Sequence, residues 1–244
     1  MTNKKQIALV TGSTRGIGKA IAINFAQNKI DVVLTGRNEN KLIEINNQLQ
    51  NYGINSFYIS ADLSDETGIY KIINYLKSSN INISILVNNA AIIHKKIDLI
   101  DFDMEKWVEV INVNLINTVK LTKLILPSMI KNEYGKIINI SSIGGRKGAA
   151  GRTAYRITKA GLISFTESLA AEIKKYNIDV NCVCPGQVVT EGYIEAFGEE
   201  SVKNNTMIKP SEIADVCKFL VSSESSSITG SIIDAFGSSN PLFN

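Results

Sequence analysis

Short apolar runs alternate with helix-like segments along the whole chain. The runs have the length of buried strands, and the segments between them carry apolar residues at helical spacing. Strands that alternate with helices are typical of a parallel sheet covered on both faces. The sequence therefore predicts a single doubly wound α/β domain over residues 1–244, with helices on both faces of the sheet. Its predicted strands, about seven, are residues 6–11, 31–35, 56–60, 83–87, 137–140, 178–184 and 231–235.

Charge and hydropathy argue against two classes of partner. The formal net charge of +3 comes from 26 basic and 23 acidic residues with no long basic block, so no nucleic-acid partner is expected. The first apolar run is too short for a signal sequence, and no run approaches the ~18 apolar residues of a membrane span. We expect a cytoplasmic protein with no membrane partner.

The cysteines and the histidine limit the chemistry further. Cys182 and Cys184 alternate within a predicted strand, so both point to one face, and we expect buried free thiols and no metal site. His94 is the only histidine, which removes a Ser-His-Asp hydrolase unless His94 itself lies at the site.

A glycine-rich turn connects the first strand to the first helix. Residues 11–18 contain the spacing Gly-x-x-x-Gly-x-Gly, which differs from the commoner Gly-x-Gly-x-x-Gly. Such glycines let the backbone approach a pyrophosphate at a helix N-terminus, where free N–H groups favour anions. The turn predicts a dinucleotide site, and an ordinary turn is the alternative. The residues expected to contact the cofactor here are Thr11, Gly12, Ser13, Thr14, Arg15, Gly16, Ile17 and Gly18.

The residues after the second strand indicate which dinucleotide binds. A carboxylate usually stands there in NAD sites, whereas an arginine accommodates the 2′-phosphate of NADP. This chain has Gly36 and Arg37, and Arg15 in the glycine turn is a second candidate for the same phosphate. NADP (NADPH) is therefore the predicted cofactor, with solvent-exposed arginines as the alternative.

A hydroxyl, a phenol and an amine lie close together in the second half of the chain. Tyr155 and Lys159 are four residues apart and would share one face of a helix, while Ser142 follows a predicted strand. A Tyr-x-x-x-Lys pair is expected by chance about 0.7 times in such a chain, so an exposed amphipathic helix is the alternative. The combination suits acid-base chemistry on a carbonyl or an alcohol.

Other segments follow strand ends or interrupt helical patterns. Residues 88–91, Asn-Asn-Ala-Ala, suit a loop that passes close to a ligand, or a simple turn. Asn114 lies inside a long helical pattern over residues 104–131, where most asparagines face solvent. Residues 191–206 show no clear period and are interpreted as a mobile lid or substrate loop.

In this order, the segments resemble the short-chain dehydrogenase/reductase family over nearly the whole chain. The resemblance implies a Rossmann-type fold in which Tyr155 is the general acid in reduction and Ser142 polarises the carbonyl group. By the same likeness, Lys159 lowers the Tyr155 pKa and holds the ribose, Asn114 anchors a water of the proton relay, and Asp62 lies on the adenine side. The cofactor contacts further implied are Leu63, Asn89, Ala90, Pro185, Gly186, Val188 and Thr190, beside Tyr155 and Lys159.

Within the family, the chain looks most like 3-oxoacyl-[acyl-carrier-protein] reductases and related carbonyl reductases. The resemblance implies NADPH-dependent reduction of a small ketone or aldehyde, including thioester-linked ones. A sugar or polyol dehydrogenase is one alternative, and a catalytically silent NADP-binding sensor is another, although such proteins usually lack the tyrosine or the lysine. The family pairs through the helices that correspond to residues 104–131 and 153–176, which implies a homotetramer or homodimer.

Three basic residues, Arg146, Lys147 and Arg152, flank the expected substrate pocket. Their position predicts either recognition of an anionic substrate or a solvated basic loop without a ligand.

Overall fold

A seven-stranded sheet forms the centre of the computed structural model, which describes residues 6–202 and 207–237. Neighbouring strands pair in parallel in the order 3-2-1-4-5-6-7, which confirms the predicted doubly wound α/β fold. The strands are β1 Ile7–Thr11, β2 Asp31–Gly36, β3 Ser56–Ser60, β4 Ile85–Asn88, β5 Gly135–Ile140, β6 Ile178–Pro185 and β7 Ile232–Ala235.

Eight α-helices connect and cover these strands in the described part of the chain. A π-helical turn, Asn112–Ile116, joins two of them, so the predicted helical pattern over residues 104–131 is one continuous helix with a widened turn. The helices are α1 Gly16–Gln27, α2 Glu39–Gln50, α3 Glu66–Ser78, α4 Met104–Ile111, α5 Asn117–Lys131, α6 Thr153–Ile173, α7 Glu191–Phe197 and α8 Pro210–Val221.

Buried side chains form one layer on each face of the sheet. Val10 packs with α1, α2 and α8, whereas its neighbour Leu9 points to the opposite layer with α3, α5 and α6. Alternate residues of a strand point to opposite faces, so a strand covered on both sides must be apolar throughout. This is why β2 reads Val32-Val33-Leu34 with all three side chains fully buried.

The sheet order reverses direction at β1. The chain builds β2 and β3 outward on one side of β1, and then returns to add β4 on the other side. In open parallel sheets, ligands bind beyond the carboxyl ends of the strands at such a reversal. The turns after β1 and β4 therefore face a common crevice.

The segment predicted as an irregular lid over residues 191–206 begins with regular structure. Residues 191–197 form α7, and Glu199–Val202 is a 3₁₀ turn, while residues 203–206 lie outside the described part. The Thr190 hydroxyl accepts a hydrogen bond from the Tyr193 N–H at 3.1 Å and caps the helix. Seven residues span only about two helical turns, too few for a helical period to show in the sequence.

All three cysteines, Cys182, Cys184 and Cys217, are buried free thiols, as predicted for the first two. Across residues 6–202 and 207–237, no helix has both the length and the apolar character to cross a membrane. The same residues contain no cluster of His, Cys, Asp or Glu side chains arranged to hold a metal ion.

Candidate active site

A cleft of about 750 Å³ opens at the carboxyl ends of the strands. This volume is within the range of small-molecule and cofactor sites. Most of the residues predicted from the sequence line it, including the glycine turn, the end of β2, the loop after β4 and the Ser-Tyr-Lys set. They are Gly12, Thr14, Arg15, Gly16, Ile17, Arg37, Asp62, Leu63, Asn89, Ala90, Ser142, Tyr155, Lys159, Pro185, Gly186, Val188 and Thr190.

Thr11, predicted to contact the cofactor, lies in the wall behind the cleft. Its hydroxyl accepts hydrogen bonds from the backbone N–H groups of Asn89 and Ala90 at 2.9 and 3.0 Å. The Asn89 side-chain amide in turn donates to the Thr11 carbonyl at 2.9 Å and to the Gly12 carbonyl at 3.2 Å. These bonds fix the loop after β4 against the glycine turn.

Ser13 and Gly18 were also predicted as cofactor contacts and lie behind the cleft surface. The Ser13 hydroxyl exchanges hydrogen bonds with the Thr35 backbone, donating at 3.2 Å and accepting at 3.0 Å, which joins the turn to β2. A Cβ atom on Gly18 would lie 2.4 Å from the Gly12 carbonyl oxygen, so only glycine lets α1 pack this closely on the turn. Both residues shape the turn from behind.

The glycine turn fits the dinucleotide that the sequence predicts. Gly12 has φ +64°, and a Cβ atom there would lie 2.9 Å from the Ala90 Cα. The turn therefore presents bare backbone beside the N-terminus of α1, where the first N–H groups of a helix favour anions. A side chain at Gly12 would therefore collide with the loop after β4, which packs directly on the turn.

Two carboxylates of α7 contact this anion site. The Gly16 N–H donates to the Glu191 carboxylate at 3.1 Å, and Arg15 forms an ion pair with Glu195. Arg15 was predicted as a second contact for a 2′-phosphate, but in this arrangement its charge is already paired. The helix N-terminus thus holds an anionic group supplied by the protein.

The end of β2 carries the residues that were predicted to select the cofactor. Arg37 is exposed, and among the described residues its guanidinium has no hydrogen bond or ion pair. Asp62 lies on the same side of the cleft, where its carboxylate accepts from the Ser64 N–H at 2.9 Å. Asn117 holds the neighbouring Leu63 carbonyl at 2.7 Å. Arg37 therefore remains available to an anionic ligand.

Ser142 and Tyr155 meet where β5 ends. The Ser142 hydroxyl accepts from the Gly144 N–H at 3.0 Å, which fixes the oxygen and leaves its proton free to be donated. Burial raises the pKa of Tyr155, while the hydrogen bond with Ser142 and the charges of Arg152 and Arg156 act in the lowering direction. The phenol is therefore protonated at neutral pH and positioned as a proton donor.

Lys159 lies one helical turn from Tyr155, as predicted. Its ammonium group lies 5.6 Å from the Tyr155 ring centroid and donates to the Ile140 carbonyl at 2.8 Å. Burial lowers the pKa of Lys159 to about 8. The resemblance implied that Lys159 lowers the Tyr155 pKa; in this geometry the net shift of that pKa is upward, because burial of the phenol outweighs the nearby charges.

Asn114, predicted to anchor a water, is buried in the π-helical turn and does not line the cleft. Its amide oxygen accepts from the Ile92 N–H at 2.7 Å, and its amide nitrogen donates to the Ile92 carbonyl at 3.0 Å and to the Thr158 hydroxyl at 3.3 Å. These bonds hold the loop after β4 against α6. The water-relay role stays a prediction.

The model of the family described as short chain dehydrogenase matches residues 6–200. This chain belongs to the short-chain dehydrogenase family. The predicted resemblance is thereby confirmed, and the chain is an oxidoreductase that uses a nicotinamide cofactor to interconvert alcohols and carbonyl compounds.

Curated relatives of this short-chain dehydrogenase include two 3-oxoacyl-[acyl-carrier-protein] reductases named FabG. The protein from Aquifex aeolicus (strain VF5) is 38% identical over 239 residues, covering 95% of this chain and 96% of the relative. The protein from Escherichia coli (strain K12) is 33% identical over 244 residues, covering 97% and 98%. The likeness to this subgroup, inferred from the sequence, is confirmed.

Solved structures show the same similarity. The 3-oxoacyl-[acyl-carrier protein] reductase from Brucella melitensis ATCC 23457 superposes with a TM-score of 0.87 at 30% identity, covering 97% of this chain and 91% of that one. A variant of actinorhodin polyketide ketoreductase with NADPH gives a TM-score of 0.88 at 26% identity, covering 96% of both chains.

Several residues that line this short-chain dehydrogenase cleft were not identified from the sequence. Arg156, Tyr193 and Phe197 line the cleft near Tyr155. Arg156 directly follows the tyrosine in sequence, and that adjacency was the available signal. Tyr193 and Phe197 belong to α7, whose short length concealed them.

Proposed function

We propose that this chain is an NADPH-dependent reductase that converts a ketone or aldehyde into an alcohol. The observation that carries the proposal is the convergence of Ser142, Tyr155 and Lys159 in the cleft that also contains the glycine turn. The names of the curated relatives, 3-oxoacyl-[acyl-carrier-protein] reductases, support ketone reduction over other uses of the family. A 3-oxoacyl compound, free or thioester-linked, is the substrate type that this likeness favours.

The residues that would hold the cofactor are those of the glycine turn, Arg37, Asp62, Ala90 and Lys159. When bound, the nicotinamide cofactor supplies or accepts a hydride. The Ser142 hydroxyl then donates a hydrogen bond to the substrate carbonyl oxygen. Its proton is free for this bond because the Ser142 oxygen already accepts from the Gly144 N–H. This bond orients the carbonyl group and stabilises negative charge on its oxygen.

Tyr155 supplies the proton that completes reduction. Because desolvation raises its pKa, the phenol keeps its proton at neutral pH, as a general acid must, and loses it as charge develops on the substrate oxygen. The phenolate left behind is stabilised by the nearby guanidinium groups of Arg152 and Arg156. Lys159 adds a third positive charge 5.6 Å from the ring centroid.

Oxidation of NADPH over a substrate panel tests the proposed function. The panel contains acetoacetyl thioesters, diketones, quinones and sugars, and we expect turnover with ketones. Preferential turnover of sugars or polyols would instead support the sugar dehydrogenase alternative. Tight NADPH binding without turnover of any carbonyl compound would contradict the proposal and favour a silent NADP sensor.

We also infer a homotetramer or a homodimer. Five apolar side chains are exposed on the neighbouring helices α4, α5 and α6 and on the turn between the first two, namely Met104, Val108, Ile116, Leu124 and Ile157. Their exposure on the helices through which the family pairs supports an interface there. Sedimentation of micromolar protein should show an oligomer. The Val108→Glu/Leu124→Glu variant should dissociate it, whereas Ile43→Glu on α2 should not.

A monomer at micromolar concentration would contradict the inferred assembly.

We further infer a cytoplasmic location, which the three buried free thiols support, because free cysteines persist in reducing compartments.

A further inference from the structure

Of the three basic residues predicted to flank the substrate pocket, Arg152 is buried, whereas Arg146 and Lys147 are exposed. Its residue exposure is only 7%, and its guanidinium lies 5.0 Å from the Tyr155 ring centroid and 4.9 Å from that of Phe197. One of its N–H groups donates to the His94 carbonyl. The two rings fix the guanidinium at the cleft surface, next to the proton donor.

No carboxylate balances this buried charge in the part of the chain that the structure describes. Two nearby carboxylates are paired with other arginines: Asp234 pairs with Arg146, and the cleft residue Glu195 pairs with Arg15. A buried charge without a partner is costly, and proteins usually retain one where a ligand supplies the opposite charge. Arg152 thus has the surroundings of a ligand-binding group.

Arg156 provides a hydrogen-bond donor without a partner near Arg152. It lines the cleft, and its Nη1 atom is buried without a hydrogen-bond partner among the described residues. Its position directly after Tyr155 on α6 brings it to the same end of the cleft as Arg152. Two guanidinium groups therefore flank the phenol, and guanidinium groups bind carboxylate and phosphate oxygens in paired hydrogen bonds.

We propose that Arg152 and Arg156 bind an anionic oxyacid group of the substrate, so that this reductase acts on a ketone carrying a carboxylate or phosphate close to its carbonyl group. The carbonyl oxygen must reach Ser142 and Tyr155, and Arg152 lies over the Tyr155 ring, so the anion is separated from the carbonyl carbon by only a few bonds. For a 3-oxo acid, the ketone carbon takes up a hydride and its oxygen a proton, and NADPH becomes NADP⁺. The inference rests on the proposed reductase function.

Three compounds with the same 2-oxopropyl group test the proposal. Acetoacetate and 2-oxopropylphosphonate carry an anion beside the ketone, whereas ethyl acetoacetate does not. We expect the wild type to have a higher kcat/KM for at least one anion than for the ester, and the better anion identifies carboxylate or phosphonate recognition. Arg152→Gln should lower the ratio of anion to ester kcat/KM by about 10- to 150-fold, the effect of one charge-assisted contact.

Control variants separate recognition from folding and from effects on Tyr155. Arg152→Lys keeps the charge and should retain part of the preference, and Arg146→Gln should leave the ratio unchanged. A variant that only perturbs Tyr155 would lower turnover of ester and anion alike. An unchanged ratio in both Arg152→Gln and Arg156→Gln, with NADPH binding retained, would overturn the proposal.

Calorimetric titration of the same compounds keeps the test independent of turnover. If no compound is reduced, the reductase proposal fails, yet tighter binding of an anion than of the ester, lost in Arg152→Gln, would still support the anion site. Equal binding of all three compounds to the wild-type protein would overturn it.

Discussion

At the residue scale, the half-buried Tyr155 has two kinds of neighbour, a hydroxyl and two guanidinium groups. Hydrogen bonding with Ser142 acts to lower the pKa of the phenol, and Arg152 and Arg156 act in the same direction through their charge. The sequence predicted that Ser142 lies near Tyr155, because the two residues belong to a spaced pattern. It left open whether Arg152 is solvated, because the burial of Arg152 depends on Phe197, which packs against it from a helix 45 residues away. Local pattern carries no information about such a contact.

Replacing Tyr155 with phenylalanine removes the proton donor and little else. We expect kcat to fall by about 10²- to 10⁴-fold, the usual contribution of a general acid, while the affinity for NADPH stays nearly the same. Tyr193→Phe is the matched control, because it deletes another phenol of the cleft and should leave turnover little changed. Near wild-type kcat in Tyr155→Phe, with ketone substrate saturating, would remove Tyr155 from the proposed role.

Arg37 should determine the preference for NADPH. A charge-assisted hydrogen bond contributes about 1.5 to 3 kcal/mol, so Arg37→Gln should weaken NADPH by roughly 10- to 150-fold and NADH far less. The measurement is the ratio of kcat/KM for the two cofactors. A wild type that prefers NADH, or an unchanged ratio in the variant, would show that Arg37 does not meet the 2′-phosphate.

Gly36→Asp should move the preference further towards NADH by placing a carboxylate beside Arg37. Crowding will also affect cofactor binding in this variant, since a Cβ atom on Gly36 would lie 2.8 Å from the Thr14 Cγ2 atom. Gly36→Ala introduces the same Cβ atom without a charge, so it measures the effect of crowding alone. The aspartate should change the cofactor ratio well beyond the alanine; equal ratios would mean that only crowding of the glycine turn had been measured.

At the element scale, α7 acts as a cover over the cofactor end of the cleft. Glu191 accepts from the first turn of α1, and Glu195 pairs with Arg15, so a bound diphosphate has to replace carboxylates that already occupy the anion site. Both contacts are solvent-exposed, which limits their contribution to about 0 to 1 kcal/mol each. Movement of α7 on cofactor binding therefore costs little.

Neutralising these carboxylates should strengthen cofactor binding. We expect Glu191→Gln/Glu195→Gln to bind NADPH about 2- to 10-fold more tightly at low salt, with a smaller gain at high salt. Fluorescence titration of NADPH measures this, and Glu199→Gln in the following 3₁₀ turn is the control. Weaker binding in the double variant would show that the glutamates assist the cofactor and do not compete with it.

The elements themselves were largely predictable. Strands such as β2 are apolar throughout because both faces are covered. The glycines of the first turn are required by close backbone contact. Both features can therefore be recognised in the sequence. The widened turn at Asn112–Ile116 and helix α7 left none, because one is a local change of helical pitch and the other is too short to show a period. Sequence also could not separate Asn89, at the cleft surface, from Thr11 behind it, because both belong to one hydrogen-bonded unit.

At the scale of the whole molecule, the sheet order explains why distant segments form one site. Reversal at β1 brings the turns after β1 and β4 together, and parallel pairing of β5 with β6 places Ser142 and Pro185 at the same edge. The alternation of strands and helices predicts this edge before any residue pair is known. The site also costs the molecule stability, since Lys159 is buried at its base with 3% exposure.

The pH dependence of unfolding should reveal that cost. Burial lowers the pKa of Lys159 from 10.5 to about 8 in the folded protein, so the unfolded chain binds more protons between these values, and stability rises with pH in this window. Below pH 8 the penalty is fully present, at about 3 kcal/mol. Lys159→Met lacks the titrating group but loses the bond to the Ile140 carbonyl at every pH. The unfolding free energy of the wild type minus that of the variant, from urea titrations, should therefore increase between pH 8 and pH 10. Groups common to both proteins cancel in this difference, and a value independent of pH would mean that Lys159 carries its charge in the fold without penalty.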